Sequence, residues 1–424
     1  MAGQHPARTA LFSLEQLGIK LGLDQIRALV AALGRPDRAF SSIIVAGTNG
    51  KGSVTAMIER GLRAAGIRTG RFTSPHLVRL EERFAIDGAS IGEARLDALA
   101  ERVLLASRAL PAPPSFFEAT TAIALEAFRD AGVDVAVLEV GLGGRLDATN
   151  VVDSVAEVIT MIDFDHQQYL GHTLDAIARE KAGVIKAGSV VILGENPPRV
   201  EEVMVETTRS TGARLIRAWT GTTCAVEMRE GHAHLALTTL QDVYPSVTLA
   251  LAGRHQVQNA VTAVRALEAL PERLDRPIGP AAIVLALEDV EWPARLETRQ
   301  AGGITMLIDG AHNPAGATAL AHHVLDTFGH PLPMVVGVMR DKDLESILRA
   351  LASAASVMFC TAPRSARAAT PSELATVARS VDSRLDVVSV DDPLEAVRRA
   401  ASRGLPVVVA GSLYLAGQIR EELS

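Results

Sequence analysis

A chain of 424 residues exceeds what one hydrophobic core normally serves, so two or three domains are expected. Its composition, 48% hydrophobic and 21% charged with a formal net charge of −7, reads as soluble and globular and argues against a basic nucleic-acid footprint. Cys224 and Cys360 are too isolated for a disulfide framework, no apolar run reaches membrane-span length, and the start MAGQHPARTALFSLE lacks a signal-peptide core, so a cytoplasmic protein without a membrane partner is expected.

Val- and Ile-rich segments alternate with Ala-rich helical ones, the pattern of βα units around a mainly parallel sheet. The first helix carries Ile26, Leu29, Val30 and Leu33 on one stripe and ends at Gly34. A strand over 42–45 then runs into Gly47-Thr48-Asn49-Gly50-Lys51-Gly52-Ser53 and a helix to about residue 65. A glycine-bracketed turn between a strand and a helix N-terminus is a cradle for nucleotide phosphates. The spacing is shorter than the standard phosphate loop, which has four residues before its Gly-Lys pair and a hydroxyl residue directly after the lysine. The chemistry survives: Gly50 and Gly52 let backbone N–H groups approach an anion, Lys51 supplies a point charge, and Ser53 can reach a phosphate-bound Mg²⁺. The plain alternative is a glycine turn beside a surface lysine.

A short strand after Gly70 ends in Thr73-Ser74-Pro75-His76-Leu77, where Ser74 is a weak oxygen ligand and His76 a substrate contact. Taken alone, a Ser-Pro turn with a solvent-facing histidine accounts for it better. A helix over 116–131 and a strand over 133–140 lead to Glu139-Val140-Gly141-Leu142-Gly143-Gly144-Arg145-Leu146-Asp147. Glu139 lies at the carboxyl end of that strand, where open parallel sheets expose ligand-facing groups, and can hold Mg²⁺ or its water. Arg145 serves as an anion clamp or a surface ion pair. The strand over 155–162 ends in Asp163-Phe164-Asp165-His166, with His166 an imidazole ligand or proton carrier that Asp165 orients. In the helix over 174–182, Lys181 is suited to neutralising phosphate, pairing with Glu180, or modification on its amine.

Alternation between Cys224 and Leu251 predicts a small antiparallel addition. Gly253-Arg254-His255-Gln256-Val257-Gln258-Asn259-Ala260 opens a helix whose polar groups can read a base and phosphate. Proline-bearing segments put a domain junction near residue 296, dividing the chain into 1–296 and 297–424. A second βα series follows, with strands over 305–308, 334–338, 355–360 and 405–410. Its first strand ends in Asp309-Gly310-Ala311-His312-Asn313-Pro314, with Asp309 and His312 poised to meet a ligand held by the other domain and Asn313 also suited to capping. Its last ends in Gly411-Ser412-Leu413-Tyr414, presenting N–H groups to a carboxylate.

These motifs together resemble the folylpolyglutamate synthases and bifunctional dihydrofolate synthase/folylpolyglutamate synthases, a branch of the Mur ligase superfamily. GTNGKGS at 47, TSPHL at 73, EVGLGGRLDATN at 139, DH at 165, EKAGVIK at 180, GRHQVQNA at 253, DGAHNP at 309 and GSLY at 411 stand in that family's order. The resemblance implies an α/β fold with an N-terminal P-loop ATPase domain that binds ATP and pterin, and a smaller Rossmann-like C-terminal domain that binds glutamate. It implies that Thr48, Asn49, Gly50, Lys51, Gly52 and Ser53 hold ATP, with Asn259 at adenine, Arg295 at a phosphate and Asp309 as a further nucleotide contact. Ser53, Ser74, Glu139 and His166 would surround magnesium, with Lys181 joining them as a carbamate. His312 and Ser412 would lie near L-glutamate, and Lys51, Lys181 and His312 would carry the chemistry. The family's Trp-Pro-Gly-Arg becomes Trp292-Pro293-Ala294-Arg295 here, a less permissive turn before Arg295. The segment 17–23 and TSPHLVRLEER resemble pterin-side elements of enzymes that accept dihydropteroate as well as reduced folates.

The implied activity is ATP-dependent ligation of L-glutamate to dihydropteroate and to reduced folates through an acyl phosphate, by a cytoplasmic monomer acting on small molecules in folate biosynthesis. The alternatives are a folylpolyglutamate synthase alone, a ligase acting on a UDP-sugar peptide, a P-loop kinase, and a non-catalytic nucleotide-binding scaffold. A kinase would leave DGAHNP and GSLY unexplained, and a scaffold would bind ATP without glutamate-dependent ADP release.

Overall fold

The structure, a computed structural model, describes residues 5–18 and 20–423. Residues 1–4, at the start read for a signal peptide, and Ile19, within the segment compared with pterin-side elements, lie outside the described residues.

The first sheet is built from β1 (Ser41–Ala46), β2 (Thr69–Phe72), β3 (Phe84–Ile86), β4 (Ala89–Ser90), β5 (Val135–Glu139), β6 (Ser154–Ile159), β7 (Val190–Leu193) and β8 (Arg214–Arg217). Their order is β4-β3-β2-β5-β1-β6-β7-β8, parallel from β2 to β8 and antiparallel at β3 and β4. Parallel strands send all their carboxyl ends to one edge, which gathers the loops after β1, β2, β5 and β6. Helices cover both faces. Ile44 packs in one core with Phe72 and Leu138, while its neighbours Ile43 and Val45 pack in the other with Val54 and Met57 of the helix Lys51–Ala64. Burial on both faces is why these strands read as continuous apolar runs.

The expected antiparallel addition is present as β9 (Thr223–Arg229), β10 (His232–Thr238) and β11 (Val243–Thr248). Ala233, Leu235 and Leu237 face inward from β10, and Tyr244 from β11, onto the second of those cores. The third sheet contains β12 (Glu297–Ala301), β13 (Ile304–Ile308), β14 (Leu332–Val336), β15 (Ala355–Cys360), β16 (Val387–Ser389) and β17 (Val407–Ala410), ordered β12-β13-β17-β14-β15-β16. It is parallel apart from β12, so the loops after β13, β17, β14 and β15 also share an edge. Among the described residues, no helix is long and apolar enough to cross a membrane.

Local chemistry explains the element ends. The helix Phe116–Ala131 starts at a capping box in which Ser115 Oγ accepts from Glu118 N at 3.2 Å and Glu118 Oε2 accepts from Ser115 N at 2.7 Å. The helix Pro314–Phe328 has Asn313 as its cap, the side-chain oxygen accepting from Gly316 N at 2.9 Å, and proline in its first turn.

Candidate active site

The two carboxyl-end edges face each other, and the glycine loop lies between them. Thr48 N and Asn49 N donate to Met161 O at 2.8 and 3.3 Å, and Thr48 Oγ1 both donates to Asp163 O and accepts from Asp163 N. The loop is thereby clipped to the exit of β6. Gly50 has φ 85° at the helix N-cap, and a Cβ there would strike the Asn259 side-chain oxygen; at Gly52 a Cβ would lie 2.7 Å from Trp292 Nε1. Both positions therefore require glycine, one for conformation and both for space.

Lys51 Nζ donates to Gly47 O and Thr48 O, each at 3.0 Å, and Lys181 Nζ donates to the same Gly47 carbonyl at 2.7 Å. Two buried ammonium groups thus converge on one oxygen. Burial pushes the Lys181 amine down to about 7, with repulsion from Lys51 adding to it and Asp165 and Asp147 opposing it. Burial also lowers Lys51, against the attraction of Glu139 and Asp165.

Glu139 is buried at the end of β5, and its Oε2 accepts from Ser74 N at 3.2 Å. Burial raises its carboxyl, while Lys51, the Ser74 amide and Arg295 favour the charged form. Ser53, buried at the start of the helix after the loop, accepts from Gln256 Nε2 at 3.3 Å, and Gln256 in turn accepts from Asn259 Nδ2 at 2.8 Å. His166 sits in the left-handed region at φ 51°, and burial holds its imidazole down at about 4, so it is neutral at physiological pH with a lone pair available. Among the described residues, no three His, Cys, Asp or Glu side chains converge as a metal cage. The donors at hand are the Glu139 carboxylate, the Ser53 and Ser74 hydroxyls and His166; the oxygens are hard donors of the kind Mg²⁺ takes alongside phosphate and water.

Groups from the third sheet complete the cleft. Asn313 Nδ2 donates to Asn49 Oδ1 at 2.9 Å, tying the loop after β13 to the glycine loop. Asp309 accepts from Leu296 N at 2.8 Å and Ala311 N at 2.7 Å; burial raises its carboxyl and Arg295 opposes that rise. The segment bearing Arg295 is held in an unfavourable conformation, with φ 55° at Ala294 and 51° at Leu296. Glu297 Oε2 accepting from Ala294 N, and Gly310 N donating to Ala294 O, both at 2.9 Å, fix it there. A cavity of about 100 Å³ in the cleft is lined by Asn49, Gly50, Gly52 and Ser53 of the loop and by Gln256, Asn259, Arg295, Asp309, His312 and Asn313.

His312 Nδ1 lies 2.8 Å from Gly310 O, so that nitrogen donates and Nε2 keeps its lone pair, 4.0 Å from Asp165 Oδ2. Burial lowers this imidazole to about 4, with Lys342 acting in the same sense. Ser412, at the end of β17 beside β13, is buried and caps the last helix, its Oγ accepting from Leu415 N at 3.1 Å.

Several expectations change. His76 is not solvent-facing: its Nδ1 accepts from Arg83 Nε at 3.0 Å, and burial, then Arg83, lowers it to about 4. Arg145 pairs with Glu180 at 2.8 Å, while Lys181 turns inward to the Gly47 carbonyl at 2.7 Å instead of pairing with Glu180. Asp165 gives its amide-side contact to His166 N but its closest ion-pair partner is Lys342, 2.7 Å away, not the His166 ring at 3.8 Å. Lys342 escaped the sequence reading, although Asp341-Lys342-Asp343 follows β14 as DGAHNP follows β13. Trp292, named in the sequence only as the start of the turn before Arg295, packs on Gly52 with Arg71 4.9 Å above its ring.

The Mur ligase middle domain matches residues 45–267, and the glutamate ligase domain of Mur ligases matches residues 294–413. A dihydrofolate synthase/folylpolyglutamate synthase of Mycobacterium tuberculosis is 38% identical, the alignment covering 94% of this chain and 89% of that protein. A folylpolyglutamate synthase of Lacticaseibacillus casei is 33% identical over 94% of each. The solved structure of Mycobacterium tuberculosis folylpolyglutamate synthase complexed with ADP and AMPPCP superposes with a TM-score of 0.90, at 36% identity and over 99% of both chains.

Proposed function

The chain belongs to the Mur ligase superfamily and is closely related to the bifunctional dihydrofolate/folylpolyglutamate synthases, and from that membership we propose that it joins L-glutamate to dihydropteroate and to reduced folates at the expense of ATP. The observation that carries this reading is the meeting of two lysines, Lys51 and Lys181, and the buried Glu139 with His312 and Lys342 from the opposite sheet. A kinase would need only the first set. In this reading residues 1–296 form a P-loop ATP- and pterin-binding unit and 297–424 a Rossmann-like glutamate-binding unit. Both halves of the cleft come from one chain, which supports a monomer. The free thiols Cys224 and Cys360 suit the cytoplasm.

The acceptor carboxylate attacks the γ-phosphorus of ATP, forming an acyl phosphate and releasing ADP; the glutamate amine then attacks the acyl carbon and expels phosphate. Lys51 and the amides of Gly50 to Ser53 meet the charge that develops on the transferred group. Asn259, Arg295 and Asp309 orient the nucleotide. Glu139, Ser53, Ser74 and His166 would hold Mg²⁺, which when bound neutralises phosphate charge and acts as a Lewis acid. Lys342 and the Ser412 turn suit the carboxylates of glutamate. The Nε2 lone pair of His312 accepts a hydrogen bond from its amine, since a neutral imidazole of low basicity orients that amine better than it deprotonates it.

Purified protein with ATP, Mg²⁺, L-glutamate and, separately, dihydropteroate, dihydrofolate and tetrahydrofolate should yield one ADP per amide formed, read by mass. Product from dihydropteroate alone or from folates alone removes half of the proposal; ATP binding without amide from any acceptor removes all of it.

Lys181 is proposed to carry a carbamate, formed when its neutral amine takes up CO₂ and loses a proton, which would turn a buried cation into an anionic oxygen ligand. A value near 7 leaves about half the amine neutral at pH 7, whereas an ordinary lysine leaves less than about 0.1%. The carbon-13 carbamate signal from labelled bicarbonate should therefore rise as pH is raised through about 7. A rise only above about pH 9, as for an exposed lysine, would contradict the assignment.

A further inference from the structure

The glycine loop holds a buried donor with nothing to bind. Asn49 Nδ2 is shielded from water and makes no hydrogen bond. Among the described residues, it is the one buried, unpartnered side-chain polar atom that belongs to the lining of the cleft cavity. An N–H buried without an acceptor is costly, and at a cavity wall a ligand oxygen is the physical reason to retain one. The backbone gives Asn49 little freedom to take the group elsewhere: its N donates to Met161 O at 3.3 Å, and its O accepts from Thr160 Oγ1 at 2.8 Å.

The orientation of this amide is set from the other half of the cleft. Asn313, only 2% exposed, caps the helix Pro314–Phe328. Because Gly316 N can only donate, the Asn313 atom 2.9 Å from it is the side-chain oxygen. Nδ2 of Asn313 is therefore the atom that donates to Asn49 at 2.9 Å, and the Asn49 atom accepting it is Oδ1. With its oxygen tied down, Asn49 has only its nitrogen left for the cavity. The cap of the helix after β13 thus decides that the loop offers a donor there and not an acceptor. Turned over, the same amide would present an oxygen to whatever anion the loop binds. The Lys51 ammonium and the N–H groups of the loop suit that anion to a phosphate.

Resting on the nucleotide-binding reading above, we propose that Asn313 is a positioning residue for ATP: by holding Asn49 Oδ1 it directs Asn49 Nδ2 to a phosphate oxygen. Since Asn313 follows a strand of the third sheet and Asn49 one of the first, this donor is set only where the two halves of the cleft meet.

The test is the affinity for a non-hydrolysable ATP analogue with Mg²⁺, by calorimetry, of wild type, Asn313→Ser, Asn313→Asp, Asn49→Ala and the double variant Asn49→Ala with Asn313→Asp. Serine and aspartate cap helices as well as asparagine does, so thermal unfolding of the single Asn313 variants should stay close to wild type. Aspartate keeps the cap oxygen but puts an acceptor where the donor was. The Asn49 amide then turns over to meet it and shows its oxygen to the phosphate, and affinity should fall about ten- to a hundredfold. Serine removes the donor without adding charge and leaves the amide free to turn, for a loss of about two- to fivefold. In the Asn49→Ala background, Asn313→Asp should weaken binding by less than about threefold more. Wild-type affinity in Asn313→Asp overturns the proposal. An equal loss with and without Asn49, the mark of direct charge repulsion, also overturns it, as does a loss that tracks a fall in Tm across the variants. A wild type that binds the analogue but forms no amide defeats the ligase reading alone, and the affinities still decide the positioning role; a wild type that binds no nucleotide overturns both.

Discussion

Replacing Lys51 with alanine should lower kcat roughly 10²- to 10³-fold, the range for removing one donor aimed at developing transition-state charge. The ammonium lies within the loop and, without ligand, satisfies itself on the Gly47 and Thr48 carbonyls. Those contacts hold it in the cradle at little reorganisation cost, so a phosphate arriving there meets a cation already desolvated. Burial lowers its pKa, and the charges of Glu139 and Asp165 oppose that fall. The deficit should appear in acyl-phosphate formation in a single turnover, not in amine attack. Lys51→Arg should recover part of the rate, because it retains charge but carries it on a planar fork. A parent rate of activation in Lys51→Ala would remove the residue from the mechanism; thermal unfolding of both variants separates a lost charge from a lost fold.

Glu139→Ala should reduce turnover by about a hundredfold or more and change the magnesium dependence, whereas Glu139→Gln should preserve packing and still lose most of the rate. The carboxylate is buried, receives one amide from Ser74 and feels Lys51 and Arg295 as well. Alanine therefore removes the anion from a pocket containing several cations, leaving Lys51 and Arg295 to repel one another. The glutamine variant isolates charge from volume. In the wild type, burial raises the pKa of the Glu139 carboxyl, so activity should fall as acid protonates it, at a pH above that of an ordinary glutamate. Unchanged turnover and unchanged magnesium titration in Glu139→Gln would sink the assignment.

Much of the fold was legible because its signals are local. The helices Phe116–Ala131 and Leu174–Ala182 and the strand Ala355–Cys360 fall where periodicity and punctuation put them, since a capping box, a terminal glycine or an apolar run acts over a few residues. The strand expected over 133–140 is shorter, Val135–Glu139: Val133 and Val140 stay buried outside the ladder, and Asp134 is exposed. The antiparallel addition was visible as alternation, but its role in covering a core face was not.

The sequence by itself determined the strand-end motifs and their chemistry: glycines where backbone must approach an anion, Lys51 among them, Glu139 at a strand's end, and Asp309 and His312 at another. These follow from residue type and position within one βα unit. Only the tertiary structure decided which of those groups meet. Lys181 shares the Gly47 carbonyl across 134 residues, Asn313 reaches Asn49 across 264, and Lys342 reaches Asp165 across 177. It also decided charge states, since burial turns His76, His166 and His312 into neutral rings and brings Lys181 to about 7. Desolvation and through-space charge depend on what packs around a group, and no local pattern encodes that environment.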